Sequence, residues 1–157
     1  MRLVHESFQD VRSRQERLCL TETHVLAQLL KEQVQYKAAE RMYQRTLAVY
    51  KQALGPDHTS TLLAVNNLGN LYRDQGKLAL AEEFFLRALT GYERASQSET
   101  IPALIAVGNL GFLYRDQGQT EEAEKMFQRA VLGWEKVLGP DHPRTLAVAN
   151  DLSKLRD

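Results

Sequence analysis

Leu62-Leu63-Ala64-Val65-Asn66-Asn67-Leu68-Gly69-Asn70-Leu71-Tyr72-Arg73-Asp74-Gln75-Gly76 returns 42 residues later as Leu104-Ile105-Ala106-Val107-Gly108-Asn109-Leu110-Gly111-Phe112-Leu113-Tyr114-Arg115-Asp116-Gln117-Gly118. The register continues from Ala81-Glu82 to Ala123-Glu124, from Phe85 to Phe127, from Arg87-Ala88 to Arg129-Ala130, and from Gly91 to Gly133. At twice the period, Leu54-Gly55-Pro56-Asp57-His58 falls on Leu138-Gly139-Pro140-Asp141-His142. A fixed period decides the architecture before any single element is assigned.

A weaker copy comes first, with Leu26 matching Leu68, Ala27 matching Gly69, and Ala39-Glu40 matching Ala81-Glu82. Its turn glycine is replaced by Val34. A partial copy begins at Leu146, runs through Asn150-Asp151-Leu152 and stops at Asp157. The expected organisation is an N-terminal helix over residues 1–17, on which Val4, Phe8 and Val11 share a face. A repeat array over 18–157 follows, with units at about 18–58, 59–100 and 101–142 and a partial one at 143–157.

Each unit reads as two helices. Val65, Leu68, Gly69 and Tyr72 form one stripe of a 3.6-residue helix, which Gly76 ends as a left-handed residue just past the helix. Leu78, Ala81, Phe85, Ala88 and Leu89 form the matching stripe of a second helix. Gly69 and Gly111 are expected where the two helices of a unit cross closely. Asp57 and Asp141, in the Gly-Pro-Asp-His closures, are expected to cap the helices that follow. Ser96-Gln97-Ser98-Glu99-Thr100 replaces that closure at the middle junction, so an altered loop is expected there.

The pattern Asn-Leu-Gly-x-x-Tyr, a glycine turn, then Ala-x-x-x-Phe-x-x-Ala resembles the tetratricopeptide repeat, a 34-residue helix hairpin. The 42-residue period and the Leu-Gly-Pro-Asp-His closure resemble its longer variety, found in kinesin light chains. The resemblance implies an all-α, right-handed superhelical solenoid of about three hairpins plus a terminal helix. It also implies a non-catalytic scaffold for a protein or peptide ligand.

Composition agrees. Lys plus Arg equal Asp plus Glu at 20 each, so the basic excess that phosphate neutralisation demands of nucleic-acid binders is missing. Cys19 is the single cysteine, which excludes an intrachain disulfide and fits a reducing compartment. The start, Met1-Arg2-Leu3-Val4-His5-Glu6, turns polar at once, and no window approaches the roughly 20 apolar residues of a membrane span. A soluble, cytoplasmic chain is expected. No Gly-rich phosphate loop, His-Glu-x-x-His or paired Cys-x-x-Cys occurs. His58 and His142 lie two units apart, too far for a shared metal. No catalytic residue, cofactor or metal is expected.

Function is expected on the concave face lined by first helices. Opposite the core stripe stand Thr21, His24, Gln28, Lys31 and Glu32, then Leu63, Asn66, Asn70, Arg73 and Asp74. Ile105, Gly108, Phe112, Arg115 and Asp116 follow, and Asn67, Asn109 and Asp151 flank the stripe. Asn66, Asn67, Asn70, Arg73, Asn109, Phe112 and Arg115 are the candidate peptide-binding residues, since an amide donates and accepts at once and suits a peptide backbone. In the family that the pattern resembles, asparagines at the place of Asn67 and Asn109 contact peptide main chain. The family's clamp for a terminal carboxylate would place its basic side chains at His24, Ile105 and Asn109, and only the counterpart at Asn67 is kept, so such a ligand is not expected. Arg73-Asp74 and Arg115-Asp116 are expected to form a ladder from unit to unit, Asp74 to Arg115 and Glu32 to Arg73. Two alternatives keep the fold: a sensor arm excised from a larger nucleotide-switch protein, and association of copies through the solenoid ends.

Overall fold

The computed structural model describes Val25 and residues 35–155; the N-terminal helix expected over 1–17, Cys19 and the remaining residues of 18–34 lie outside them. The described residues form six α-helices with no strand: α1 Tyr36–Leu54, α2 Thr59–Asp74, α3 Leu78–Arg94, α4 Ile101–Asp116, α5 Thr120–Leu138 and α6 Pro143–Lys154. Each packs on its neighbour in sequence, and α2 also touches α4. The result is a row of hairpins, α2/α3 and α4/α5, flanked by α1 and α6.

Each hairpin turns where its sequence dictates. After α2, Gly76 has φ 73°, its N–H bonds to the carbonyl of Arg73, and the N–H of Lys77 bonds to that of Tyr72. Gly118, Gln119, Arg115 and Tyr114 repeat the arrangement after α4. These paired bonds satisfy the last carbonyls of the helix and need a left-handed residue, which glycine supplies without Cβ strain.

Between hairpins, the caps differ from expectation. His58 and His142 are the N-cap residues, their Nδ1 atoms accepting from the N–H groups of Ser60 and Arg144 at 3.2 Å. Asp57 does not cap α2; its carboxylate takes the Arg94 guanidinium at 2.6 Å. An imidazole nitrogen serves as well as a carboxylate, since a cap needs only an acceptor two residues ahead of the orphan N–H. Thr61 and Thr145 tie the same junctions inward, each donating its hydroxyl to the carbonyl of Gly55 or Gly139 at 2.8 Å. At the middle junction α3 stops early, and Ser96 takes the left-handed conformation at φ 55°. Ser96 and Gln97 N–H bond to Glu93 and Tyr92 carbonyls there, as the glycine turns do.

Phe85 and Phe127 are fully buried, and each lies against a glycine of the partner helix. A Cβ at Gly69 would meet the Phe85 ring at 2.6 Å, and one at Gly111 the Phe127 ring at 2.7 Å. Gly91 and Gly133 play the same part from the second helix, receiving Leu62 and Leu104. A column of large aromatics at the 42-residue period, Tyr50, Tyr92 and Trp134, is buried beside them.

Units are joined by polar contacts at fixed offsets. Tyr72 donates its hydroxyl to Glu40 at 2.9 Å, and Tyr114 donates to Glu82 at 3.2 Å. Burial, and then the Glu82 carboxylate, pushes the Tyr114 hydroxyl up to about 12. Arg129–Glu93 at 2.7 Å and Lys136–Glu99 tie α5 to the end of α3 and to the loop after it; pairs so exposed contribute at most about 1 kcal/mol each.

Two glycines of α4, three residues apart, should respond oppositely to alanine. Gly111→Ala forces the buried Phe127 ring to shift and should cost roughly 1–3 kcal/mol. At Gly108 a Cβ meets nothing within 4 Å, so Gly108→Ala should gain about 0.5–1 kcal/mol from helix propensity alone. Thermal melts of the two variants check the sign of each. Tyr92 gives a second expectation. Its buried hydroxyl has no hydrogen-bond partner, and burial pushes its pKa up to about 12. A raised folded pKa contributes stability that is complete below the unfolded value of about 10 and lost as pH rises towards 12. Tyr92→Phe should therefore be no less stable at neutral pH and lose less stability between pH 10 and 12, as measured by denaturant melts.

Candidate functional site

One face of α2 and α4 builds the core, and the opposite face is the one expected to line a groove. Leu62, Val65, Leu68 and Tyr72 are buried, as are Leu104, Val107, Leu110 and Tyr114. On the groove side Leu63, Asn67, Asn70, Arg73 and Asp74 of α2 are half-buried; so are Ile105, Asn109 and Phe112 of α4, while Arg115 and Asp116 are exposed. The helical period alone separates these two sets. Thr21, His24, Gln28, Lys31 and Glu32 lie outside the described residues.

The asparagines are not equivalent in their surroundings. Asn66 is buried at 2% exposure, and its Oδ1 accepts from Nδ2 of Asn109 at 3.1 Å. This amide pair joins α2 to α4 across two units. Asn109 keeps its second N–H and its carbonyl oxygen for other partners. Asn67, one unit before Asn109, is half-buried beside it in the sequence of α2. The expected amide column therefore serves the scaffold through the Asn66–Asn109 bond.

Phe112 stands edge-on to Phe127, with ring centroids 5.0 Å apart at 73°. The Arg115 guanidinium lies over the Phe112 ring, 5.1 Å from its centroid. The same guanidinium contacts Asp116 at 3.1 Å, and Arg73 lies 3.8 Å from Asp74. The charged column is thus not the expected ladder, since Arg115 pairs with its own neighbour and not with Asp74. Glu32 lies outside the described residues. Successive first helices sit roughly a helix-packing distance of 8–10 Å apart, and holding a long side chain across that gap costs rotamer freedom. Folding back over Phe112 onto Asp116 gives Arg115 two partners at no such cost. It also compensates an acid placed at the unfavourable end of the helix dipole.

Two elements were not legible in the periodic stripe. The Asn66–Asn109 bond joins positions offset by one from the 42-residue equivalence, so self-comparison does not align them. The Tyr50, Tyr92 and Trp134 column was readable in principle from aromatic spacing, but the change of residue type hides it. Among the described residues no three His, Cys, Asp or Glu side chains gather to hold a metal ion. None of their helices is long and apolar enough to cross a membrane.

Comparison with known proteins places this geometry. The tetratricopeptide-repeat family model matches residues 17–94 and 102–157. The chain is similar to a putative kinesin light chain with nearly identical TPR-like repeats from Podosopora anserina. The two are 24% identical with TM-score 0.77, over 87% of this chain and 64% of that one. It is also similar to BtubC (BKLC) from P. vanneervenii, 23% identical with TM-score 0.83, over 98% of this chain and 61% of that one. The TPR domain of Arabidopsis FLU is 20% identical with TM-score 0.64, over 77% of this chain and 98% of that domain. The chain thus spans less than two thirds of the two kinesin-light-chain-like structures, and at these identities the likeness is one of fold. No curated protein matches it by sequence. With the family model matched over most of its length and helix hairpins repeating every 42 residues, the chain belongs to the tetratricopeptide-repeat family.

Proposed function

We propose that this chain is a non-catalytic scaffold that holds an extended segment of a partner protein in the groove formed by its first helices. Repeats of this family generally mediate protein–protein interaction, and an open row of hairpins presents a continuous concave surface for it.

One observation carries the reading. From 62 to 76 and from 104 to 118, α2 and α4 with their turns differ at three places only: Leu63 against Ile105, Asn66 against Gly108, and Asn70 against Phe112. Steps of three and four residues put all three on one helical stripe, the groove side. Every buried apolar position and every turn position of these two stretches is the same. The two helices have kept a common scaffold while their groove faces became different, as expected where each meets a different part of one ligand. Asn67 and Asn109, the same in both copies, suit backbone groups common to any peptide. Phe112 and Arg115 suit selection among side chains.

A photo-crosslinking residue placed at Asn70, in the groove, should capture the partner, and one at Leu86, exposed on the second helix α3, should not. The Asn67→Ala/Asn109→Ala double variant should weaken the complex about tenfold, two neutral hydrogen bonds being worth roughly 0.5–1.5 kcal/mol each. A melt of the double variant separates this loss from loss of the Asn66 bond. Crosslinking from Leu86 alone, with both asparagines silent, would overturn the assignment.

A further inference from the structure

The divergence between α2 and α4 has a counterpart in α6. At the first interface, Asn109 of α4 reaches Asn66 of α2, amide to amide, at 3.1 Å. One period later those two places belong to Asp151 of α6 and Gly108 of α4. The receiving side chain has gone, and the amide facing it has become a carboxylate. Gly108 is itself buried, yet a Cβ there would meet no atom within 4 Å. The place of the Asn66 side chain is therefore an open notch.

Three residues before Gly108 and four after it, on the same helical face, Ile105 and Phe112 stand half-buried. Asp151 is half-buried as well and forms no hydrogen bond or ion pair among the described residues. The other groove carboxylates are compensated, Asp74 by Arg73 and Asp116 by Arg115. Lys154, one turn beyond Asp151, is exposed and makes no ion pair with it. Asp151 is thus the one uncompensated charge among the described groove residues named here, and it holds, one period on, the place from which Asn109 reaches Asn66.

We infer that the notch over Gly108 is a subsite for a lysine or arginine side chain of the bound segment; this rests on the peptide-groove reading above. The aliphatic stem lies along Ile105 and Phe112, as long cationic side chains do against apolar surface. The cationic head meets the Asp151 carboxylate in a charge-assisted hydrogen bond. A partner that covered Asp151 with a purely apolar group would strand a carboxylate away from water, which is costly, and an acidic side chain would meet like charge. The loss of Asn66 at Gly108 and the gain of charge at Asp151 are thereby two halves of one change, from a bond that joins units to a site that takes a ligand.

Selection of random 12-residue peptides displayed on phage tests this with wild type, Asp151→Asn, Asp151→Lys and Gly108→Leu. Wild type should enrich Lys or Arg at one position of the selected motif. Asp151→Asn should remove that preference and weaken the best synthetic peptide about tenfold. Asp151→Lys should move the preference to Asp or Glu. Gly108→Leu should disfavour long side chains at that position without lowering the melting temperature. Enrichment of an aliphatic residue there, no preference at all, or an unchanged motif with Asp151→Asn would overturn the subsite. If binding is still reduced by Asn67→Ala in that case, the groove reading survives alone. Failure to select any peptide, or peptides indifferent to Asn67→Ala, overturns the groove reading and the subsite with it.

Discussion

The close crossing of the two helices in each hairpin is the constraint on which everything else rests. Gly69 and Gly111 leave room for the buried rings of Phe85 and Phe127, and Gly91 and Gly133 leave room for Leu62 and Leu104 from the other side. Each glycine costs helix propensity of about 1 kcal/mol. The rings and leucines seated there recover it through apolar burial of roughly 1.5–3 kcal/mol per side chain. Four such contacts fix the angle and spacing of two hairpins. Because the contacts are the same in both, the hairpins have the same shape and stack with a constant step.

A constant step is what lets distant residues act together. Tyr72 finds Glu40 and Tyr114 finds Glu82 at matching offsets, and the Asn66–Asn109 pair forms where a second interface has Gly108 and Asp151 instead. Such polar bonds add little net energy, about 0.5–1.5 kcal/mol each. They define register, since a slipped unit would leave a buried amide or hydroxyl unpaired. Tyr92, whose buried hydroxyl is unpaired in the folded chain, shows that large apolar burial tolerates one such group.

Scaffold and groove divide each first helix by its period. The inner stripe is held constant between copies because any change there meets an aromatic ring or a leucine at contact distance. The outer stripe differs at 63, 66 and 70 against 105, 108 and 112, and at Gly108 an added Cβ would meet nothing within 4 Å. Asn66 marks the boundary between the two. It lies on the outer stripe by spacing, yet it is 2% exposed because the next unit covers it.

How much the residues alone could tell follows from the range of each interaction. The 42-residue period, the hairpins, the glycine turns at Gly76 and Gly118, and the crossings at Gly69 and Gly111 depend on contacts within one unit. Local spacing encodes them, and the sequence determined them unaided. The stripe of candidate groove residues followed from the same helical period. The drawing of Asp57 to Arg94 instead of to a helix cap, the burial of Asn66 and the bond from Asn109 to Asn66 were decided by the tertiary structure. Each depends on distances between atoms, some of them in different units, and on which acceptor a flexible side chain reaches first. A repeat period records that two positions are equivalent; it carries no information about which non-equivalent positions the stacking of one unit on the next will bring together.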